Sequence, residues 1–263
     1  MSLYKLTHIY IYPIKSFKGI EVNEAALTLE NVLNDRRWML VDENNTFISQ
    51  RTTPVLTLFD VTLQNEQLSI GFENDEIIIP LTPSKGMETI KVKIWEDEVE
   101  AINYDLMVNH WFSEKLKTNV KLVYLPKNNK RKKIYQSETY STTFTDGFPL
   151  LIIGSKSFEK INEAIGREIH PVRFRPNLVF ETNFPFEEDQ WKTLTNNEVK
   201  IKIAKPCARC IIPTINPNSG EHEKDVMKTL QNLRLIENKI LLGQNALVKS
   251  EGVISNNSFW TIN

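Results

Sequence analysis

Short stretches of alternating apolar and polar residues dominate the first hundred residues of this 263-residue chain. Side chains alternate between the two faces of a β-strand, so a two-residue period predicts strands. The pattern begins at residues 6–12, where Pro13 limits its continuation. A hairpin is predicted over residues 37–50, around a turn at residues 43–45. Further strands are predicted at residues 58–63, 67–72, 76–80 and 90–94.

The period changes over residues 104–117, where Leu106, Trp111 and Leu116 recur at roughly helical spacing. A helix is predicted there, followed by a strand at residues 120–125. The second half mixes both patterns. Strands are predicted at residues 150–153, 178–181 and 199–204, and two short strands close the chain. Helices are predicted at residues 155–165, from a Ser155 cap to Gly166, and at residues 227–235. The chain is therefore expected to be a β-rich α+β protein in two parts.

A basic run occupies residues 126–135, between these parts, and contains five Lys or Arg residues and two Asn. Its composition is more typical of a solvated loop between domains than of a nucleic-acid patch, because aromatic residues are not interleaved with the charges. We therefore expect no nucleic-acid partner.

Composition places the chain among ordinary globular proteins, with 41% hydrophobic and 25% charged residues. The formal net charge of −1 gives no general attraction to nucleic acid or to a membrane surface. The first residues carry early Lys and His and no long apolar run, so neither a signal peptide nor an anchor is expected. A cytoplasmic protein without a membrane partner is predicted.

The two cysteines of the chain, Cys207 and Cys210, lie three positions apart in the string KPCARC. Two cysteines cannot build a disulfide framework, and free thiols are compatible with a reducing cytoplasm. A thiolate is a strong nucleophile and a preferred ligand of soft metal centres. The motif is consistent with half a zinc site, a redox dithiol, a single-thiolate metal ligand or a structural pair of buried thiols.

Two of these readings lack support elsewhere in the sequence. A zinc site needs two further ligands, and the four histidines show no paired spacing: His8, His110, His170 and His222. A thioredoxin-like dithiol normally opens a helix, whereas Pro206 precedes this pair and β-branched Ile211 and Ile212 follow it. A structural pair and a single-thiolate metal ligand both remain open at this point.

Cationic and amide residues recur at the ends of predicted strands. They are Lys15–Ser16, Lys18–Gly19, residues 35–38, residues 173–177 and Lys205. Each alone is more typical of a surface charge, but together they could converge on an anion, because Arg offers a planar fork and Lys a point charge for phosphate. Phosphate-binding glycine motifs are absent from the sequence. A thiolate beside such a cluster indicates a metal carried on a phosphorylated organic ligand.

Eight strings in order give the chain a specific resemblance. They are YPIKSFKG (12–19), DRRWMLVDE (35–43), SQR..P (49–54), DGFPLLIIG (146–154), RFRPNLVF (173–180), EEDQW (187–191), KPCARC (205–210) and LLGQN (241–245). The chain resembles the MOSC family, named after the C-terminal domain of molybdenum cofactor sulfurase. The similarity is to members with an N-terminal MOSC β-barrel domain, the bacterial relatives of the mitochondrial amidoxime-reducing component.

This resemblance implies an N-terminal β-barrel-like domain over residues 1–125 and a MOSC β-barrel domain with a few helices over residues 126–263. It also implies a molybdenum cofactor, whose metal would be bound by Cys210 with Cys207 as a neighbour. The implied cofactor contacts are Lys15, Ser16 and Arg36 at the phosphate, Arg175 and Asn177 at the pterin, and Asn245. A pyridoxal phosphate type of ligand is a further ligand that this resemblance allows.

Several positions depart from the animal relatives of the family. Gly147 and Phe148 stand where those relatives have hydroxyl residues, so such contacts are lost or come from the backbone. Ala208 offers no polar side chain before the arginine of the cysteine motif. Asn216 replaces an Asp of the following turn, and Asn245 stands where the animal proteins have Tyr.

The implied activity is reduction of N-hydroxylated compounds, such as hydroxylamines, amidoximes or hydroxylated bases, by oxygen atom transfer at a Cys-ligated molybdenum. With two cysteines the chain is expected to hold no iron–sulfur cluster, so electrons would come from an external flavin or iron–sulfur protein. The alternative is a non-catalytic protein that binds or carries molybdenum cofactor or sulfur. A third reading is a degenerate homologue with a structural role.

Overall fold

Strands dominate the computed structural model, which describes residues 2–197 and 199–263. In the first half they are β1 Ser2–Ile11, β2 Ile20–Val22, β3 Glu24–Leu27, β4 Trp38–Val41, β5 Asp60–Gln64, β6 Gln67–Phe72, β7 Asp75–Pro80, β8 Thr89–Ile94, β9 Asp97–Asn103 and β10 Lys121–Tyr124. In the second half they are β11 Arg131–Tyr135, β12 Glu138–Thr142, β13 Leu150–Gly154, β14 Leu178–Phe180, β15 Thr193–Asn196, β16 Val199–Ala208, β17 Leu235–Ile236, β18 Lys239–Ser250, β19 Gly252–Ser255 and β20 Phe259–Ile262.

Three α-helices accompany these strands in the described chain: α1 Leu106–Leu116, α2 Ser155–Ile165 and α3 Lys224–Arg234. The Asp105 side chain caps α1 by accepting a hydrogen bond from the Val108 backbone N–H, and Lys117 ends it in the left-handed conformation. None of the helices in the described chain is long and apolar enough to cross a membrane.

A closed barrel forms the larger half of the molecule. Its seven strands follow the order β13, β14, β1, β20, β15, β16 and β18, and β18 pairs back to β13. All neighbouring pairs are antiparallel except β13 with β14. Inward-facing side chains fill the barrel, including the fully buried Leu6, Ile152, Leu194, Ile201 and Trp260. This alternation of buried and exposed positions is the period that predicted the strands.

A half-barrel forms the other part of the molecule. The sheet β4–β10–β9–β8 and the small sheet β5–β6–β7 enclose a second core with α1. Phe17, Phe59 and Phe112 have no exposed surface and form an aromatic cluster at its centre. The predicted β-rich α+β fold with two barrel-like parts is confirmed.

The chain ends tie the two halves together. Strand β1 is one of the seven barrel strands, and its Ser2 pairs with Ile262 of β20. Strand β3 pairs with β19 near the C-terminus. The first 27 residues therefore contribute strands to sheets built mainly from the second half. The division at residues 125 and 126 stays a prediction.

Three predicted boundaries were wrong. The second strand of the hairpin predicted at 37–50 does not form. Its residues make only isolated bridges, Phe47 to Val41 and Thr46 to Lys93. A 3-10 helix at Pro54–Leu58 delays the next strand to Asp60. Ser155 is not the cap of α2: Gly154 takes the cap position, and the Ser155 hydroxyl accepts a hydrogen bond from the Thr182 backbone N–H.

The basic run at residues 126–135 is not simply a solvated loop. From Arg131 onward it forms β11, which pairs with β12 in a hairpin. Arg131 is 1% exposed because it points inward to Asp97 and to the carbonyl oxygens of Thr143 and Thr145. The interpretation failed because a buried arginine that binds carbonyls looks, in sequence, like any surface charge.

Other elements differ in extent from their prediction. Helix α3 begins at Lys224, three residues before the predicted start at 227. Strand β16 continues through Pro206 to Ala208, with irregular pairing to β18, because a proline fits a strand where the ladder shifts. Strands β9, β12 and β15 were missed, because their polar residues obscure the alternation.

Candidate functional site

A cavity of about 610 Å³ opens beside the cysteine turn, and both halves of the chain line it. The seven residues singled out by the sequence as site residues all lie in its wall: Lys15, Ser16, Arg36, Arg175, Asn177, Cys210 and Asn245. This volume is typical of pockets that enclose a small molecule or cofactor. The fold thus brings together residues from five separate segments of the sequence.

Lys15 and Ser16 follow β1 in a tight turn. The Lys15 backbone N–H donates to the Trp38 carbonyl, and Ser16 has a φ of 70°. The Lys15 side chain is buried, and its Nζ donates to the Phe144 carbonyl at 2.9 Å and to Asp146 Oδ1 at 2.5 Å. Burial lowers the pKa of Lys15 to about 8, although the Asp146 carboxylate opposes this shift. Lys15 is therefore a cation that another anion would stabilise.

Asp146 connects two cations of the first half to the second half. Besides Lys15, its carboxylate accepts from Arg51 Nη2 at 2.7 Å and from Trp95 Nε1 at 3.2 Å. Burial opposes ionisation, but the charges of Lys15 and Arg51 hold the pKa of Asp146 well below its usual range. Asp146 thus stays ionised and fixes both cations at the cavity wall.

Tyr12 separates the two guanidiniums of Arg36 and Arg175. The Arg36 guanidinium lies 4.3 Å from the centroid of its ring, and that of Arg175 lies 4.2 Å from it. The ring has no exposed surface, and its hydroxyl donates to the Pro176 carbonyl at 3.0 Å. An aromatic ring stabilises a nearby cation, so Tyr12 holds two like charges at the cavity.

Asp35 and Asn177 orient Arg36 from behind. Arg36 Nη1 donates to Asp35 Oδ2 at 2.6 Å and to Asn177 Oδ1 at 3.1 Å. The Asn177 amide also accepts from the Leu151 backbone N–H and donates to the Tyr10 carbonyl and to Asp35. Asn177 is 1% exposed and its amide is fully engaged with protein groups. In this geometry Asn177 positions Arg36.

Arg175 carries a polar atom without a partner. Its backbone is in the left-handed conformation with a φ of 56°, and its Nη1 donates to the Phe17 carbonyl at 2.7 Å. Its Nη2 is buried and has no hydrogen-bond partner among the described residues. Burial and the charge of Arg36 lower the pKa of Arg175 to about 10. A buried guanidinium donor is costly to leave unpaired, so this atom is suited to a ligand acceptor.

The two cysteines occupy different environments. Cys207 lies in β16, lines the cavity and packs against an apolar cluster, and its sulfur accepts from Arg209 Nη1 at 3.3 Å. Cys210 lies past the end of β16, lines the cavity and interacts with Arg51. Burial by itself lowers the pKa of Arg51, but Asp146 and Cys210 together outweigh burial and raise this pKa. Both thiols are free. The guanidinium of Arg51 therefore lies on the cavity side of Cys210.

Of the departures noted in the sequence, Gly147, Phe148, Ala208 and Asn245 line this cavity, and Asn216 does not. The Phe148 ring stacks on Tyr140 with centroids 5.4 Å apart. Lys205 Nζ lies 5.2 Å from the centroid of the Phe148 ring. Asn245 on β18 donates to the Pro206 carbonyl at 3.4 Å, next to the cysteine turn. An aromatic contact with a cation therefore occupies the place expected for hydroxyl contacts.

The site combines two free thiols, Cys207 and Cys210, with at least four cationic side chains. No group of three His, Cys, Asp or Glu side chains among the described residues could hold a metal ion. A metal bound to Cys210 would therefore bring most of its ligands with it. The cations and the unpaired Arg175 donor fit an anionic, phosphorylated organic ligand.

Four residues of the site were missed in the sequence: Arg51, Trp95, Asp146 as a carboxylate bridge, and Tyr12 as the ring between two cations. Arg51 and Asp146 lie 95 residues apart. Both fall inside the strings SQR..P and DGFP, which carried the resemblance, so the signal was present. Only the fold shows that these strings meet.

Two family models match the chain and together span most of it. The model described as "MOSC N-terminal beta barrel domain" matches residues 3–119, and that of the "MOSC domain" matches residues 139–258. The cavity lies where residues of the two matched regions meet.

Curated relatives are similar over most of this chain. Mitochondrial amidoxime reducing component 2 of Rattus norvegicus is 30% identical over 246 residues, which cover 88% of this chain and 73% of the relative. Mitochondrial amidoxime-reducing component 1 of Mus musculus is 26% identical over 244 residues, covering 88% and 72%. Molybdenum cofactor sulfurase of Oryza sativa subsp. japonica is 28% identical over 261 residues, covering 90% of this chain and 32% of that protein.

Proposed function

This chain belongs to the MOSC family, and from that premise we propose that it binds a molybdenum cofactor and reduces N-hydroxylated compounds. A role related to molybdenum cofactor is supported by the relative named molybdenum cofactor sulfurase. The substrates that we propose are hydroxylamines, amidoximes and hydroxylated bases. The protein is then a molybdenum-dependent oxidoreductase.

One observation carries this proposal. A free thiol, Cys210, lies on the same cavity wall as an unpaired buried guanidinium donor, Arg175 Nη2. The thiol suits a soft metal, and the guanidinium suits an oxygen of an organic ligand. A cavity of about 610 Å³ accommodates a ligand that spans both.

The residues of the cavity have separable roles in this proposal. Lys15, Ser16 and Arg36 bind the phosphate end, and Arg175 and Asn245 bind the pterin region. Asn177 acts through Arg36, because its amide is committed to protein partners. Arg51 interacts with Cys210 and is held in place by Asp146.

The proposed reaction consumes two electrons and two protons. The N–O bond of the substrate breaks, an N–H group forms and water is released. A molybdenum centre bound at Cys210 supplies the metal chemistry for this cleavage. The protein would bind the metal through the sulfur of Cys210, and its cationic side chains would neutralise the anionic ligand. Electrons come from an external flavin or iron–sulfur protein, because the chain has two cysteines and one of them is assigned to the metal.

We place this reaction in the cytoplasm, since both thiols are free and a reducing compartment keeps them so. A carrier of molybdenum cofactor or sulfur is the second candidate. It is favoured by the relative named molybdenum cofactor sulfurase, which is 28% identical. The same cavity serves either role, so the two are separated by turnover.

The test begins with protein expressed in cells that make the cofactor. Molybdenum content is measured by elemental analysis, and benzamidoxime reduction is measured with reduced methyl viologen as the electron source. We expect about one molybdenum per chain and turnover that Cys210→Ser abolishes. Molybdenum without turnover supports the carrier, and protein without molybdenum overturns the proposal.

A further inference from the structure

A second groove, of about 590 Å³, lies beside the cavity on the outside of the barrel. Five lysines line it: Lys192, Lys200, Lys202, Lys205 and Lys249. We refer to the surface formed by these five residues as the lysine groove. Since the formal net charge of the whole chain is −1, this is a local concentration of positive charge.

The strand period of the barrel creates this surface. On β16, Val199 and Ile201 are 3% and 0% exposed and face the core, whereas Lys200 and Lys202 between them are exposed. Neighbouring side chains of a strand point to opposite faces. Strand β16 is paired on both sides, with β15 and β18. The lysines therefore project from a rigid sheet.

Acidic residues neutralise only part of the groove. Glu138 binds both Lys202 and Lys249. The carboxylate of Asp189, which also lines the groove, accepts from Arg234 and Gln244. Among the described residues, none forms a salt bridge with the other three lysines, Lys192, Lys200 and Lys205. The groove therefore keeps a net positive charge.

The groove and the cavity share a wall. Lys205 and Pro206 line both, and Pro206 immediately precedes Cys207 in β16. Cys210 follows three residues later. A molecule bound over the lysine groove therefore lies close to the residue that we assign to the metal.

We propose that the lysine groove is the docking surface for an electron-donor protein with an acidic face and a one-electron flavin or iron–sulfur centre. This inference rests on the proposed function, which needs two electrons from outside for each N–O bond that breaks. Two donor molecules bind in turn. Each gives up one electron, and the two electrons reduce the group bound in the cavity. Complementary charge accelerates encounter and orients the donor.

A protein partner fits this surface better than a nucleic acid. Sequence-independent binding of single strands uses aromatic rings on which bases stack. The aromatic residue that lines the groove is Trp191, which is 5% exposed and packs into the barrel core. The lysines instead spread over a sheet face, as a broad acidic protein surface requires.

The test compares two double variants with the same change in charge. Lys192→Glu/Lys200→Glu reverses two groove lysines that lie outside the cavity wall. Lys85→Glu/Lys228→Glu reverses two exposed lysines away from both openings. The probe is a reduced acidic plant-type ferredoxin, and reduced methyl viologen is the small reductant that needs no docking.

We expect the groove variant to lower kcat/KM for the ferredoxin about tenfold or more at low ionic strength, with viologen-driven turnover maintained. The control variant keeps both activities within twofold. The difference between the variants should fade as the ionic strength rises to about 0.1–0.15 M, where the Debye length falls to about 8–10 Å and charges are screened. Equal losses in the two variants, or no loss in either, overturn the docking site.

Direct binding separates this inference from the proposed function. Fluorescence anisotropy of labelled ferredoxin should show binding to the wild-type holoprotein and weaker binding to the groove variant, whether or not turnover occurs. Absence of viologen-driven turnover in the wild type is a failure of the proposed function alone. Tighter, groove-dependent binding of a labelled single-stranded oligonucleotide than of ferredoxin overturns the choice of partner.

Discussion

The ammonium of Lys15 and the carboxylate of Asp146 lie 2.5 Å apart, although 131 residues separate them in the chain. Lys15 belongs to the turn after the first strand, and Asp146 precedes the strand that closes the barrel. Arg51 binds the other carboxylate oxygen. One acidic residue therefore holds two cations from the first half against the wall supplied by the second.

Asp146→Asn should destabilise the protein. The substitution leaves the buried Lys15 ammonium without its charged partner, which costs about 1–3 kcal/mol in the free energy of unfolding. Chemical denaturation measures the change. Asp60→Asn is the matched control, because it breaks an ion pair with Lys18 in which both side chains are exposed. Such a surface pair contributes about 0–1 kcal/mol. Equal effects of the two substitutions would contradict the assigned role.

Phosphate binding should weaken as the pH rises through about 8. Burial lowers the pKa of Lys15 to about 8, so its positive charge is present below that pH and lost above it. A phosphate monoester is fully ionised above about pH 7, and the charge of Arg175 persists, since its pKa is about 10.

Calorimetric titration with phenyl phosphate between pH 7 and 9.5 measures this dependence. We expect the affinity to fall about tenfold, which is the loss of one charged hydrogen bond. Lys15→Gln should bind weakly at every pH and show a flat profile over the same range. A wild-type profile as flat as that of Lys15→Gln would exclude Lys15 from the phosphate site.

The contribution of Lys15 to stability should have the opposite dependence on pH. The folded protein binds this proton less tightly than the unfolded chain does, whose Lys pKa is the ordinary 10.5. The unfolded state therefore holds more protons between about pH 8 and 10.5, and the contribution of this group to the free energy of unfolding rises with pH across that window. The difference between wild type and Lys15→Gln, followed by denaturation at several pH values, isolates it.

The two cysteines should be separable by substitution. Cys207→Ser should retain molybdenum and turnover and lose about 1 kcal/mol of stability, because its sulfur packs against the apolar cluster beside Arg209. Cys210→Ser should lose turnover with little change in unfolding. Metal analysis, turnover and denaturation are measured on both. Loss of molybdenum from Cys207→Ser alone would reverse the assignment.

Substitutions of Tyr12 should show that its ring offsets the repulsion between two guanidiniums. Tyr12→Phe keeps the ring between Arg36 and Arg175 and loses only the hydrogen bond to Pro176. Tyr12→Leu also removes two cation–π contacts, each worth about 0.5–2 kcal/mol. We therefore expect Tyr12→Leu to be the more destabilising and to bind phenyl phosphate more weakly. Equal behaviour of the two variants would show that the ring does not act on the cations.

Much of the fold could be predicted where packing and sequence period agree. Strand β6 occupies residues 67–72 as predicted, and α2 ends at Gly166 as predicted. Arg131 was misread because the inward side of its hairpin is polar, so no apolar period marks it. A period reports burial of apolar groups, and it says nothing about a buried cation that binds carbonyl oxygens.

The candidate site could be predicted only in part. Cys210, Lys15 and Arg36 were named because they fall in recognisable strings. The hydrogen bonds of Asn177 with Arg36 and with Asp35 join residues that are 141 and 142 positions apart in the sequence. Their consequence, that Asn177 acts by orienting a guanidinium, follows from the saturated amide and needs the structure.

The pairing of Ser2 with Ile262 and the closure of the barrel by β18 have a consequence for biosynthesis. Contacts between the two ends of a chain form late, because they carry the largest loop-closure cost and slow folding. During translation, the barrel and the wall that carries Cys210 cannot be complete until the last strands have left the ribosome. A chain that stops before β18 would therefore lack the strand that pairs with both β13 and β16, and with it the completed wall beside Cys210.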